Sequence, residues 1–320
     1  MDLRNAYDQR SVVVTGAGGF IGSHLVEALV KLGARVRALD HLARDAQVNL
    51  AAVIDRIEYV QRSLDQDVPL DDVVGGCDYL FHLAANASVP LSSERPGMDF
   101  EINVGGTYRV MEAFRRAGAG RLIFPSTASV YGEPLRDPMD ETHPLRPMSP
   151  YAGSKLAAEF LLDAYARCYG FDHRRARLFS TFGPRQRKYV MFDLIEKLRR
   201  DPRRLEILGT GLQLRTYSYV ADTVQALLHI GAHPDARGEV FNIGGEEPIS
   251  IRELAELIVE TLGIAPPEMV FTGQSWPGDV QRLIGDWSKL RALGYEPRIG
   301  LREGLRRLAA WHRGEFSPPW

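Results

Sequence analysis

Hydrophobic positions in the first half of the chain fall in short unbroken runs, each followed by small or polar residues. The clearest is Val12-Val13-Val14, followed by Thr15-Gly16-Ala17-Gly18-Gly19-Phe20-Ile21-Gly22. Three β-branched residues closed by glycines predict a buried strand, a tight turn and the start of a helix. Residues 35–39 predict a second strand that ends in Asp40, and residues 57–60 a third. Residues 78–85 predict a fourth, ending in small residues where a ligand can approach, and residues 122–124 a fifth. Two stretches carry helical spacing instead. Residues 99–117 place Ile102, Val110, Met111 and Phe114 on one side and stop at Gly118 and Gly120. Residues 152–169 carry Leu156, Phe160, Leu161 and Ala164 and stop at Gly170. Strands alternating with helices predict an α/β fold, a doubly wound parallel sheet with its ligand beyond the carboxyl ends of the strands.

After about Phe179 the pattern changes. Pro184, Pro202, Pro234, Pro248, Pro266, Pro267 and Pro277 cut the chain into short elements. Residues 249–258 predict one clear helix, with Ser250 and Glu253 at capping-box spacing. The expected division is a sheet domain over residues 1–179 and a smaller mixed α/β domain over residues 180–320, with some segments returning to the first. No internal repeat and no low-complexity tract interrupts this. The tail, residues 317–320, is expected to be loosely held.

Composition narrows the function class. The 320 residues are 45% hydrophobic and 25% charged with a formal net charge of −2, so no global field draws the chain to nucleic acid or an anionic membrane. Arginine pairs occur at 174–175, 199–200 and 203–204; most are expected to be solvated faces. Residues 1–10 are polar and lack the apolar core of a secretory signal, and no apolar run reaches the ~18 residues of a membrane span. The two cysteines, Cys77 and Cys168, read as reduced core residues of a cytoplasmic protein.

The glycine turn has GxxGxxG spacing. Gly16 suits the turn, Gly19 the close approach of a pyrophosphate, and Gly22 the packing of helix on strand, with the phosphates held at the helix start. A bare turn with no ligand has the same local pattern, but Asp40, 18 residues after Gly22, adds an acid suited to an adenosine ribose with free hydroxyls. This favours NAD over NADP. Further on, Tyr151 and Lys155 stand four apart at a helix start, on one face. A phenol ionises near ~10, too high for a base at neutral pH. A nearby ammonium and a bound nicotinamide cation both favour the phenolate. Tyr151 would then take a proton from a sugar hydroxyl as hydride leaves the same carbon. Thr127, beside Ser126 and just past the fifth strand, is placed to hold the substrate oxygen.

With these motifs the chain resembles the extended short-chain dehydrogenase/reductases, in particular the nucleotide-sugar epimerase/dehydratase group, over nearly its whole length. Residues 15–22 match TGxxGxxG, residues 81–85 the fourth strand, residues 103–107 the NVxGT helix and residues 126–132 the catalytic Ser/Thr segment. Residues 149–155 match SPYxxSK, and residues 183–186 and 277–279 match substrate-domain motifs. The resemblance implies a Rossmann-type domain with bound NAD, a transient keto-sugar and a homodimer through the two long helices. It also implies site residues. For catalysis these are Tyr151, Lys155 and Thr127. For the cofactor they are Gly16, Gly19, Phe20, Ile21, Gly22, Asp40, His41, Ser63, Leu64, Leu83, Ala84, Ala85, Asn103 and Ser126, with Tyr151 and Lys155. For the nucleotide-sugar they are Thr127, Ser180, Tyr189, Arg215, Trp276 and Arg282, with Arg215 at a diphosphate-binding position.

The chain departs from the group at several of these places. The adenine-contacting Asp is Ser63, the Asn of the RxxN segment is Ser180, and the Asn that begins the next substrate helix falls near Tyr189. The second diphosphate arginine is Trp276, and the position that gates hexose size is Leu283. Arg185, Arg187, Lys188 and Arg282 are candidates to replace the lost contact. His24, His82 and His173 read as packing residues, with no metal-ligand spacing around them. The function expected is a redox-neutral epimerase acting at C4 of a nucleotide-linked sugar. The alternatives are a 4,6-dehydratase or decarboxylase that starts with the same oxidation, or a dinucleotide sensor, which would have no need of the Tyr/Lys pair. Family dehydratases carry an Asp-Glu pair after the catalytic Thr, and related decarboxylases keep an acid at the second position. Here Ala128 and Ser129 stand there, and Glu133 lies beyond a turn.

Overall fold

The computed structural model describes residues 1–65, 68–118, 120–276 and 278–315. Strands β1 (Ser11–Thr15), β2 (Arg35–Asp40), β3 (Glu58–Gln61), β4 (Tyr79–His82), β5 (Arg121–Thr127) and β6 (Asp172–Leu178) lie in one sheet. All of its pairings are parallel, and its order is β3-β2-β1-β4-β5-β6, closed at the far edge by residues 240–243. Every residue of β1 is buried, as a parallel strand covered on both faces requires. The valines alternate between two cores. Val12 and Val14 pack with Leu25, Leu29, Val224 and Leu227 on one face. Val13 packs with Leu80, Phe124, Met111 and Phe114 on the other. This is the doubly wound, Rossmann-type α/β architecture expected.

Helix α1 (Leu3–Tyr7) buries Tyr7 against the first core, and α2 (Phe20–Lys31) follows the glycine turn. A short α3 (Asp71–Val74) precedes β4, and α4 (Val89–Glu94) and α5 (Pro96–Phe100) follow it. The long helix expected over 99–117 is composite: α5 runs through a π-helical turn at Glu101–Gly105 into α6 (Gly106–Ala117), which ends on left-handed Gly118. Helix α7 (Pro150–Tyr169) starts at Ser149, whose side chain accepts the Ala152 N–H, and ends on left-handed Gly170.

The second half begins with β7 (Ser180–Phe182), α8 (Tyr189–Arg200) and β8 (Arg204–Ile207), then β9 (Leu214–Tyr219) and α9 (Val220–Ala232). Strand β10 (Val240–Ile243) pairs with β6 and is the seventh strand of the large sheet, and α9 packs on the same core as α2. Strands β11 (Pro248–Ser250), β9, β7 and β13 (Arg282–Leu283) make a second, mixed sheet, while β12 (Glu268–Phe271) pairs with β8. Helix α10 (Ile251–Leu262) carries the expected capping box between Ser250 and Glu253. Its apolar face joins α8, β8, β9 and residues 305–308 in a separate core.

Two surface expectations are corrected. Cys77 is buried, but Cys168, on the last turn of α7, is exposed. Arg174 and Arg175 are not a solvated pair. Arg174 is fully buried, with its guanidinium on the Gly231 carbonyl and on Asp172, and Arg175 pairs with Asp163 at 2.6 Å. Strand β6 is interior to the sheet, so its polar side chains must find partners inside. Pro277 of the 277–279 motif and the tail residues 317–320 lie outside the described residues.

Candidate active site

The reversal of strand order falls between β1 and β4, where the glycine turn meets residues 83–85. Gly16 has φ +66°, and a Cβ on it would lie 2.7 Å from the Ala84 nitrogen. A Cβ on Gly22 would lie 2.1 Å from the Gly16 carbonyl oxygen, so this glycine lets α2 begin against the turn. Gly19 is different: a Cβ there meets only the Gly16 oxygen, at 3.2 Å, and its outer side is open. No side chain caps α2, so the first-turn N–H groups of Phe20, Ile21 and Gly22 and the positive end of the helix dipole are left for an anion. This cradle fits a pyrophosphate.

Asp40 ends β2 and is buried beside the turn. Its Oδ2 accepts the Gly18 N–H at 2.9 Å and its Oδ1 the Leu42 N–H at 3.3 Å, with His41 Nδ1 at 3.1 Å. The following loop holds Gly18 from its other side, which the sequence reading missed. Asn49 Nδ2 donates to the Gly18 carbonyl at 2.9 Å, and a Cβ on Gly18 would overlap the Gln47 carboxamide. The available signal was Gly18 itself, a glycine outside the GxxGxxG positions. Ser63 is half-buried just past β3. Leu64 is buried under Arg109, which donates to its carbonyl at 2.9 Å.

Tyr151, Lys155 and Asn103 are brought to the carboxyl end of β5, whose last two residues are Ser126 and Thr127. The Ser149 cap and Pro150 set Tyr151 in the first turn of α7, and its N–H donates to Ser92 Oγ at 3.1 Å. The Tyr151 phenol lies beside the Thr127 hydroxyl, which accepts the Ser129 N–H at 3.2 Å. Burial pushes the phenol above its ordinary pKa; Tyr189 and Asp99 add to this and the neighbouring Thr127 hydroxyl opposes it. Burial pulls Lys155 down from 10.5 to about 7, against the opposing charges of Glu159 and Asp99. Ser126 Oγ is buried and has no partner among the described residues, a polar atom fitting a cofactor amide at this strand end.

Asn103 lies in the π-helical turn, inside a polar network absent from the sequence reading. Its Oδ1 accepts the Asn86 N–H at 2.8 Å, and its Nδ2 reaches Asp99 Oδ1 at 3.1 Å and Ser154 Oγ at 3.0 Å. Ser154 in turn donates to Asp99 Oδ2 at 2.7 Å, and Asn86 Nδ2 to Asp99 Oδ1 at 2.8 Å. Asp99 thus ties α5, α7 and the loop after β4 into one unit beneath Tyr151 and Lys155. His82 bridges Thr15 and Thr107, at 2.7 and 3.0 Å. Burial, reinforced by Lys155, lowers it to about 3 and keeps it neutral. His24 contacts the Pro184 carbonyl and His173 contacts Asp163.

The substrate-side candidates are more scattered. Tyr189, with φ +72°, starts α8, and its hydroxyl donates to the Ala87 carbonyl, in the loop after β4, at 2.7 Å. Ser180 sits in β7, in register with Tyr217 of β9. Arg215 is tied to Asp279 at 2.9 Å and to the carbonyls of Leu214, Val280 and Gln281. Trp276 is 41% exposed. Arg282 is exposed on Asp137, and Leu283 packs with Ala128, Val130 and Phe179 rather than standing free. Of the candidate replacement cations, Arg185 is held by Glu27, while Arg187 and Lys188 are exposed. Glu133 accepts the Gln281 N–H, so its carboxylate is directed to the backbone just before β13.

Comparison with known proteins agrees with this geometry. Residues 12–244 match the family described as NAD dependent epimerase/dehydratase. The UDP-glucose 4-epimerase of Mycolicibacterium smegmatis is 36% identical over 313 residues, covering 95% of this chain and 98% of that protein. A dTDP-glucose 4,6-dehydratase of Streptomyces niveus is 34% identical over 315 residues, covering 94% and 92%. The structure of UDP-glucose 4-epimerase from Thermotoga maritima with UDP-glucose superposes with a TM-score of 0.87 at 32% identity, covering 95% of this chain and 99% of that one. The chain belongs to the NAD dependent epimerase/dehydratase family, and NAD is the dinucleotide that its glycine cradle and Asp40 fit.

Proposed function

We propose that the protein is an epimerase of a nucleotide-linked sugar that oxidises and re-reduces one carbon, C4. NAD supplies a hydride acceptor and donor that is not consumed over a cycle. Tyr151 removes the hydroxyl proton, Thr127 holds the same oxygen, and Lys155 contributes the positive charge that favours the phenolate. After the ketone turns over in the pocket, Tyr151 returns the proton to the oxygen on the new face. Asn103, Asp99 and Ser154 hold the helix start that aims both side chains. Residues 1–179 serve as the dinucleotide half and 180–320 as the substrate half, with Ser180, Tyr189, Arg215, Trp276 and Arg282 as the residues offered to the nucleotide-sugar.

The observation that carries epimerisation over elimination is the surroundings of Thr127. Ala128 is fully buried and has no proton to trade, Ser129 uses its N–H on Thr127, and the Glu133 carboxylate is engaged by the Gln281 N–H. A dehydratase needs a placed acid and base for the C5 proton and the C6 hydroxyl. Incubation with a panel of UDP- and dTDP-sugars, followed by NMR of the products, tests this: an epimer of the substrate supports it, and a 4-keto-6-deoxy sugar overturns it.

Two coarser proposals complete the reading. The helical face formed by α5, α6 and α7 leaves Phe100, Tyr108, Phe160 and Tyr169 exposed, an apolar surface that suits a homodimer. A dimeric mass by light scattering, converted to a monomer by Phe160→Arg, is the expected result. A cytoplasmic location fits the two free cysteines, and among the described residues no helix is long and apolar enough to cross a membrane.

A further inference from the structure

Arg215 is poorly provided to hold a diphosphate alone. A guanidinium has five N–H donors. Nη1 is directed to the carbonyls of Leu214 and Gln281, and Nη2 to Asp279 and the carbonyl of Val280. Only the Nε–H has no partner among the described residues, and the Asp279 carboxylate offsets the charge. A two-point hold on a phosphoryl group needs a second donor. The position implied for a second arginine is Trp276, whose indole N–H can donate but carries no charge.

Two residues along β9, on the same strand face as Arg215, stands Tyr217. It is only 8% exposed, and its hydroxyl has no hydrogen-bond partner among the described residues. The ring packs edge-on to Phe182, at 6.3 Å between centroids, and the charges that bear on the hydroxyl are those of Arg215 and Asp279. A buried phenol normally finds a partner, and an orphan beside a site is a donor awaiting a ligand. Ser180, its register partner on β7, is small where the group has an asparagine, so no amide on that strand takes the hydroxyl.

We infer that Tyr217 donates its hydroxyl to a phosphoryl oxygen of the substrate diphosphate, beside the free Nε–H of Arg215. The inference rests on the nucleotide-sugar reading given above and deepens it: one cation and one neutral phenol replace a pair of arginines. A neutral donor satisfies the oxygen without adding charge next to Asp279. Burial holds the phenol well above its ordinary pKa, so the donor is present throughout the neutral range.

The test is calorimetric titration of the NAD-loaded protein with UDP and with dTDP, for wild type and Tyr217→Phe. Loss of one hydrogen bond to a charged oxygen is expected to weaken the accepted nucleoside diphosphate by about 10-fold or more. Because the lost hydroxyl is unpartnered among the described residues, Tyr217→Phe should melt no lower than wild type and keep its NAD. Equal affinity for the nucleotide in the two proteins overturns the inference while leaving the nucleotide-sugar reading intact. A weaker affinity that comes with a lower melting temperature and lost NAD makes the hydroxyl structural and also overturns it. If wild type binds neither nucleotide, the nucleotide-sugar reading fails and this inference fails with it.

Discussion

The Lys155 ammonium lies 4.0 Å from the centroid of the Phe124 ring, in a place where Lys155 is almost wholly removed from water. The ring face attracts the cation but does not replace its hydration. Burial therefore dominates, and the pKa falls to about 7. A basic group whose folded value lies below its unfolded one destabilises the fold fully below both values, and the effect fades as pH rises from about 7 to the ordinary 10.5. Lys155→Met is expected to raise the melting temperature of the NAD-free protein at pH 7 and to lose that gain as pH approaches 10.5, while turnover falls by at least ~100-fold. Thermal melts across this range check it; a variant that melts lower at pH 7 contradicts the account of burial.

Tyr151 needs help to act as a base. Its phenol is pushed up by burial and by the nearby Tyr189 and Asp99, so the protein without cofactor holds it protonated. A nicotinamide cation beside it favours the phenolate. Difference absorbance of tyrosinate, compared between wild type and Tyr151→Phe, should show one phenol whose midpoint falls when NAD is added. The same variant should keep its melting temperature within the usual scatter and lose ~100-fold or more in turnover. Near wild-type turnover would remove Tyr151 from the mechanism.

Asp40 has two tasks. It is proposed to face the ribose of the dinucleotide, and it fixes the turn through the Gly18 N–H. NAD should bind much more tightly than NADP, since a 2′-phosphate would meet a buried carboxylate. Asp40→Ala should narrow that preference and lower the melting temperature, because the Gly18 N–H loses its acceptor. Similar affinities for the two cofactors in wild type would show that the carboxylate does not face the ribose.

The sequence shows what a local constraint leaves behind. Gly16 and Gly22 are legible because a backbone that must pass the Ala84 nitrogen and the Gly16 oxygen admits no Cβ. Tyr151 and Lys155 are legible because four residues make one helical turn. The Asp99 network is not: Asp99 meets Ser154 across 55 residues and depends on a π-helical turn that apolar periodicity does not register. Arg174 looks like surface in a charged stretch, yet β6 lies inside the sheet and its two Nη atoms are held by the Gly231 carbonyl and Asp172. Cys168 sits among apolar neighbours in sequence but on the outer side of its helix. In the second half of the chain, Arg215 is found by motif, but its pairing with Asp279 and the orphaned Tyr217 hydroxyl are matters of strand register.

The central claim is that the ketone made at Thr127 and Tyr151 is reduced again before any bond to C5 or C6 breaks. It is tested by turnover of an accepted nucleotide sugar in deuterated water, with mass spectrometry and NMR of the product. Ala128 has no proton to exchange with a sugar carbon, and the Glu133 carboxylate is engaged by the Gln281 N–H. The account predicts a C4 epimer of unchanged mass with no deuterium on carbon. Loss of one water with deuterium at C6, or deuterium fixed at C3 or C5, would contradict it.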